Sequence, residues 1–141
     1  ELEATILEAI ENENPDVILI EGQGSLSHPA YSTSSFILRG SCPQAVVLQH
    51  APGRKHRCDF DDMPMPTPAS EIELIETFAK TKVIGLTLNH ENMTDAEVSE
   101  AIIKYENELG IPSTDVLTRS PERLVQMVLS VFPQIGAEIS T

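Results

Sequence analysis

The stretch VILIEGQGSLSHPAY, residues 17–31, decides the fold expected for this chain. Its first part, Val17–Ile20, is a short, continuous and largely β-branched apolar run that suits a parallel strand covered on both faces. The acid Glu21 and a polar, glycine-rich segment follow that run directly. The pattern predicts a buried strand whose carboxyl end carries functional groups.

Similar patterns recur along the chain. Further apolar runs of strand length are Ala45–Leu48 and Val83–Leu88, with Val116–Leu117 as a weaker case. Apolar residues at helical spacing mark the segments between them, which are residues 2–13, 68–80, 94–109 and a helix that begins at Ser120. Strands that alternate with helices predict an α/β fold, a parallel sheet with helices on both faces. Residues 50–67 are expected to form a long irregular loop.

Length and charge limit the class of protein. The 141 residues suit one domain, and no apolar run approaches the length of a membrane span. A net charge of −13 disfavours nucleic acid and anionic membranes as partners, although a local pocket can still bind a small anionic substrate. Two cysteines do not make a disulfide scaffold, which favours a reduced, cytoplasmic setting. We therefore expect a small-molecule substrate, and we leave a homo-oligomer open.

Polar residues follow three of the predicted strands. They are Glu21, His50 and Asn89, and in open α/β sheets ligands bind beyond the carboxyl ends of the strands. Gly22 and Gly24 permit close approach of the backbone to a ligand, or they make a tight turn without one. This edge of the sheet is the predicted site.

An apolar strand that ends in an acid also has the form of a Walker B element. Glu21 would then hold Mg²⁺, directly or through water, beside the phosphates of a nucleotide. Ser25 either caps the next helix or contacts phosphate, and His28 is either an acid/base or a hydrogen-bonded loop histidine. Both interpretations stay open for each residue.

The segment around residue 54 carries the one basic cluster of this acidic chain. Arg54 is the best candidate to bind a carboxylate or phosphate, because its guanidinium fork suits bidentate contact, and His50 is a second substrate-binding candidate. Lys55 and Arg57 are expected to face solvent. Asn89 would recognise a base or ribose, or would cap its turn.

Several of these motifs occur together, in the same order, in a known family. Glu21–Tyr31, His50-Ala-Pro-Gly-Arg54, Pro64-Met-Pro66 and Val83–Asn89 resemble the P-loop family that includes D-glutamate N-acetyltransferase. The first motif is long and specific, and the resemblance extends over most of the chain from about residue 10. The strand-acid-glycine pattern and the Gly-Leu-Thr-Leu-Asn strand are also similar to dethiobiotin synthetase.

The resemblance implies that residues 1–141 are the C-terminal portion of a single P-loop-like α/β domain. None of the seven glycines lies in a G-x-x-x-x-G-K-[ST] pattern, so the Walker A strand and loop are expected upstream of Glu1. For the intact protein, the resemblance implies acetyl-CoA or ATP with Mg²⁺ and an N-acetyltransferase that acts on a D-glutamate-like amino acid. The alternatives are an ATP-dependent ligase or kinase and a non-catalytic sensor or assembly module. This fragment alone is expected to be inactive.

Overall fold

The computed structural model describes residues 1–137 of the chain. Six helices and five strands lie within that range, and from β3 to α5 strands and helices alternate as the sequence predicts. The elements are α1 Leu2–Glu13, α2 Thr33–Ser41, β1 Val46–His50, β2 His56–Arg57, β3 Phe60–Pro64, α3 Pro68–Ala79, β4 Val83–Leu88, α4 Asp95–Leu109, β5 Ser113–Thr114, α5 Glu122–Val131 and α6 Pro133–Ala137. None of these helices has the length and apolar character that crossing a bilayer requires.

The main sheet has three strands in the order β1-β4-β5, and both pairs of neighbours are parallel. Val46 of β1 pairs with Val83 of β4, and His50 pairs with Leu88 at the other end. In the second pair, Leu86 lies opposite Ser113. Because the strands are parallel, their carboxyl ends meet at one edge, where the sequence predicts the site.

Helices cover both faces of β4, which confirms the predicted α/β fold. Leu86 and Leu88 pack with Tyr105 of α4 in one buried cluster. Because successive residues of a strand face opposite sides of the sheet, Gly85 faces the side away from Tyr105. On that side, Met127 of α5 fills the space beside Gly85. An added methyl group at Gly85 would collide with the Met127 sulfur, so this buried side chain would have to shift.

Two helices begin and end where the sequence places their signals. The side-chain oxygen of Thr67 accepts a hydrogen bond from the Ser70 amide at the start of α3. At the start of α4, Thr94 and Glu97 form a reciprocal capping box. Gly110 then ends α4 in the left-handed conformation, with φ 68°. Local capping chemistry thus fixes both helices that flank β4 in the chain.

The prediction of a strand at Val17–Ile20 is wrong for this structure. The segment forms no ladder with another strand, and Leu19 is 89% exposed. Apolar content alone does not make a strand, because backbone donors and acceptors must also find a neighbouring strand. Within residues 1–137, β1 pairs only with β4 and no strand lies beside Val17–Ile20.

Three smaller expectations also need correction. The last strand is Ser113–Thr114, three residues before the predicted Val116–Leu117, and Leu117 is exposed. Residues 56–64, expected to be irregular, contain an antiparallel hairpin of β2 and β3. Helix α2 was not predicted, because its sequence TSSFILRGS has polar residues at most positions and buries only Leu38.

Candidate functional site

The carboxyl edge of the sheet brings three chain segments together. His50 ends β1, Asn89 follows β4, and Asp115 follows β5. The amide of Asn89 donates to the carbonyl oxygen of His50 at 2.8 Å, which ties the first two segments together. The Asn89 side-chain oxygen accepts from the amide of Glu91 at 3.0 Å, which is the turn-capping role considered for it.

Asp115 is the most deeply buried charged group of this edge. It is 0% exposed, and its carboxylate accepts hydrogen bonds from the Leu117 amide at 3.0 Å and the Thr118 hydroxyl at 2.7 Å. His90 Nδ1 lies 2.7 Å from the same carboxylate. Burial acts to raise the pKa of Asp115, but these hydrogen bonds outweigh it and hold the pKa below its ordinary value. Asp115 is therefore ionised and acts as the acceptor that orients His90.

A cavity of about 250 Å³ opens beside β1 and α4. Its size suits a compact ligand rather than a whole nucleotide. Both sequence-predicted substrate-binding residues, His50 and Arg54, line it, together with Tyr105, Lys104 and Glu108 of α4. The remaining lining residues are Met65, Pro66, Thr67, Pro68, Ala69 and Leu109.

Charged groups surround this cavity in pairs. Arg54 forms an ion pair with Glu91 at 2.5 Å, and Lys104 lies 3.9 Å from Glu108 on the next turn of α4. Glu91, the partner of Arg54, comes from the turn after β4. All four side chains are more than two-fifths exposed, so solvent weakens both pairs and each cation can still receive an anionic ligand.

His50 lines the same cavity as the cations Arg54 and Lys104. Its ring meets the Tyr105 ring edge to face, with the centroids 5.6 Å apart. Burial, and secondarily the positive charge of Lys104, lower the pKa of His50 below its ordinary value. The imidazole is consequently neutral at pH 7.

The comparisons with known proteins agree with this architecture. The profile described as "Domain of unknown function (DUF1611_C) P-loop domain" matches residues 1–125. The chain belongs to the DUF1611 family. A solved structure of a DUF1611 family protein from Anabaena variabilis has a TM-score of 0.83 at 32% identity, and the match covers 92% of this chain and 39% of that one.

Two curated relatives of the DUF1611 chain carry the name D-glutamate N-acetyltransferase. The protein from Tritonibacter scottomollicae is 28% identical over 127 residues, which is 86% of this chain and 38% of its own length. The protein from Pseudoalteromonas sp is 33% identical over 113 residues, which is 76% of this chain and 34% of its own length. The DUF1611 chain thus spans little more than a third of the relatives it matches.

Close packing explains why glycines occupy positions 22 and 24 of the first motif, Glu21–Tyr31. A methyl group on Gly22 would approach the Ile37 side chain of α2 to 2.7 Å. Gly24 has φ 76°, and a methyl group there would lie 3.1 Å from Tyr31. Contacts with α2 and with Tyr31 therefore account for both glycines without a ligand.

The serines of the motif connect it to the β2–β3 hairpin. Arg57 donates to the Ser25 hydroxyl at 3.2 Å and to the Ser27 hydroxyl at 2.9 Å, so the expectation that Arg57 faces solvent alone is wrong. The Ser27 hydroxyl in turn donates to the buried carboxylate of Glu71. Ser25 does not cap α2, whose N-cap position is Ser32. Because Glu71 balances the charge of Arg57, this cluster serves as a structural connection.

His28 is held from both sides. Its Nδ1 accepts the Ala30 amide at 3.2 Å, and its Nε2 lies 3.0 Å from the carbonyl oxygen of Cys58. Since a carbonyl only accepts, Nε2 carries the proton. The ring also stacks on Tyr31 at 4.3 Å. With both nitrogens bonded, His28 has the geometry of a hydrogen-bonded loop histidine, and the acid/base role stays a prediction.

Glu21 is exposed, and its side chain makes no hydrogen bond or ion pair within residues 1–137. In the same range, no group of three or more His, Cys, Asp and Glu side chains is placed to hold a metal ion. Glu21 can thus offer only a single carboxylate to a cation. Such a site suits Mg²⁺ only where phosphates supply other ligands.

Proposed function

We propose that this chain is part of the P-loop domain of an acyl-CoA-dependent N-acetyltransferase that acts on an amino acid such as D-glutamate. The observation that carries the proposal is the cavity lined by His50, Arg54 and Lys104 in a chain of net charge −13. Because solvent weakens their ion pairs with Glu91 and Glu108, Arg54 and Lys104 can exchange these partners for the carboxylate of a small ligand. The names of the two curated relatives support the reaction type.

In the proposed site, the fork of Arg54 binds the carboxylate of the amino acid acceptor. Glu91 holds Arg54 at the rim of the cavity until the substrate arrives. Glu21 orients a cation beside the phosphates of the acyl donor. His28 has a positioning role, because its Nε2 fastens the first motif to Cys58 of the β2–β3 hairpin.

The reaction is tested by supplying the intact protein with D-glutamate and either acetyl-CoA or ATP. We expect free thiol from acetyl-CoA and no ADP from ATP. ADP release would instead indicate a ligase or kinase of the dethiobiotin synthetase type. Release of neither product, with D-glutamate and other amino acids, would contradict the proposal and favour a non-catalytic module.

The role of Glu21 is tested separately by Glu21→Gln, with Glu13→Gln on the exposed face of α1 as the matched control. We expect thiol release to fall sharply in E21Q and to stay unchanged in E13Q. The melting temperature of E21Q should stay close to that of the wild type, because the Glu21 side chain is exposed and makes no hydrogen bond or ion pair within residues 1–137. Unchanged activity in E21Q would remove Glu21 from the site.

A further inference from the structure

The position of His50 distinguishes it from the three other histidines. It ends β1 at the carboxyl edge and lines the cavity beside Arg54. Its ring is fixed against Tyr105, and neither ring nitrogen has a hydrogen-bond partner within residues 1–137. By contrast, His28 has both nitrogens bonded and His90 is held by Asp115. His50 therefore combines a fixed ring with unused acceptor capacity.

The groups that face His50 determine its charge. Lys104, Tyr105 and Glu108 face it from α4, while Arg54 faces it from the loop after β1 with Glu91 as its ion-pair partner. Partial burial and the Lys104 ammonium disfavour the imidazolium and lower the pKa of His50. A neutral imidazole presents a lone pair and can take up a proton at physiological pH.

We propose that His50 is the general base of this cavity, where it accepts the amine proton of an amino acid whose carboxylate is bound by Arg54. The inference rests on the proposed acyl transfer and adds a catalytic role to a residue first considered only for substrate binding. The cavity supplies the geometry, because Arg54 and His50 line the same small space and can contact two groups of one substrate.

The step balances as an acyl transfer from a thioester. The amine nitrogen bonds to the carbonyl carbon of the thioester, and the carbon–sulfur bond breaks with its electron pair on sulfur. The proton lost by nitrogen passes to the imidazole of His50. It then passes to the departing thiolate or to solvent, which restores the neutral ring.

The kinetic test compares His50→Gln with the wild type in the intact protein over a range of pH. We expect kcat to fall by about 10²-fold or more, with little change in KM, because general bases contribute about that much. The acidic limb of the kcat/KM profile should disappear. A raised KM with an intact acidic limb would overturn the proposal, since it would make His50 a binding residue only.

Lys104→Met provides a second variant, with Lys55→Met as the control on the exposed hairpin side. Loss of the Lys104 charge raises the pKa of His50, so the acidic limb should move to higher pH in K104M and stay in place in K55M. An acidic limb that does not move in K104M would overturn the proposal.

A readout without catalysis completes the test. The imidazole of His50 is titrated by NMR, and its signal among the four histidines is assigned with H50Q. We expect a midpoint below 6.5 in the wild type and a higher midpoint in K104M. A midpoint of His50 that differs from the pKa of the acidic limb in the wild type and does not move with that limb in K104M would overturn the proposal. If the intact wild type releases no thiol, the proposed acyl transfer is wrong. If the wild type releases thiol and H50Q keeps both its kcat and the acidic limb of its pH profile, only the general-base role of His50 is refuted.

Discussion

Replacement of Asp115 by asparagine tests whether its buried carboxylate is held by the three donors described above. Asp115→Asn keeps the shape of the side chain and one oxygen for the Leu117 amide. Its new NH₂ group, however, takes the place of Oδ2, which accepts from Thr118 and lies 2.7 Å from His90 Nδ1. The Thr118 hydroxyl can rotate to accept, but the Nδ1–H of His90 then faces another donor.

The expected loss of stability follows from these two facing donors, the NH₂ group of asparagine and the Nδ1–H of His90. Hydrogen bonds to charged groups stabilise a protein by about 1.5–3 kcal/mol each, and His90 keeps some freedom because about a third of its side chain is exposed, at 35%. We therefore expect D115N to lose about 2 kcal/mol of stability. For a chain of this length that corresponds to a melting temperature lower by about 6 °C.

The pH dependence gives a second, independent signature. Because the folded pKa of Asp115 is lowered, its stabilisation is complete above the unfolded pKa of about 3.9 and is lost as pH falls through the folded pKa. The difference between wild type and D115N should accordingly be largest near neutral pH and shrink in acid. Other carboxylates also titrate there, but they are common to both proteins and cancel in the difference.

The assay is thermal unfolding followed by circular dichroism from about pH 7 to about pH 3, the range over which carboxylates titrate. Asp62→Asn on β3 is the control, since Asp62 is exposed and its side chain makes no hydrogen bond or ion pair in the described part of the chain. If D115N melted at the same temperature as D62N and followed the acid profile of the wild type, the three-donor account of Asp115 would be refuted.

Three further predictions concern packing, capping and a tyrosine. Gly85→Ala should lower stability by about 1–3 kcal/mol in denaturant unfolding, because the added methyl group collides with buried Met127; an unchanged midpoint would show that the space is not filled. Thr94→Ala should cost about 1 kcal/mol in the same assay by removing the capping box, and equal stability would mean that the box contributes nothing. The hydrogen bond to Asp59, followed by the charge of Asp59, raises the pKa of Tyr31 to about 12, so Asp59→Asn should bring the ultraviolet titration of Tyr31 back toward 10. A titration that Asp59→Asn leaves in place would contradict the hydrogen bond.

The parts of the fold that the sequence predicts are those with local signals. Helix α4 has a capping box at Thr94, a stop at Gly110 and apolar residues at helical spacing, and all three coincide in the structure. Strand β4 is a short apolar run that follows a turn and ends before the polar residue Asn89. It is buried on both faces. In both cases the chain contains the whole signal within a few residues.

The parts that the sequence does not predict depend on distant partners. Val17–Ile20 has the composition of a buried strand, yet strand formation requires a neighbour that composition does not show. Arg57 looks like a solvated loop residue until the hairpin brings it against Ser25 and Ser27.

The candidate site shows the same division. His50 and Arg54 were found from their places after a strand and in a motif, and the structure puts both on one cavity. Lys104 and Asp115 were missed, because a lysine on a helix surface and an acid after a weak strand are common. One signal for Asp115 was available: an aspartate side chain often accepts a hydrogen bond from the backbone amide two residues later, as Asp115 does from Leu117.

Within residues 1–137, the side of β1 away from β4 has no neighbouring strand, and this affects how the chain behaves in concentrated solution. Residues 46–50 include neither an acidic residue nor a lysine, arginine or proline, which are devices that commonly protect the outer strand of a sheet from foreign chains. Val17–Ile20 is equally uncharged, and within residues 1–137 neither segment has a strand on its open side. The net charge of −13 opposes the pairing of two copies, and that repulsion acts over about 10 Å in 0.1 M salt. Aggregation should therefore rise with ionic strength, so low-salt buffers are the better choice for storage and crystallisation.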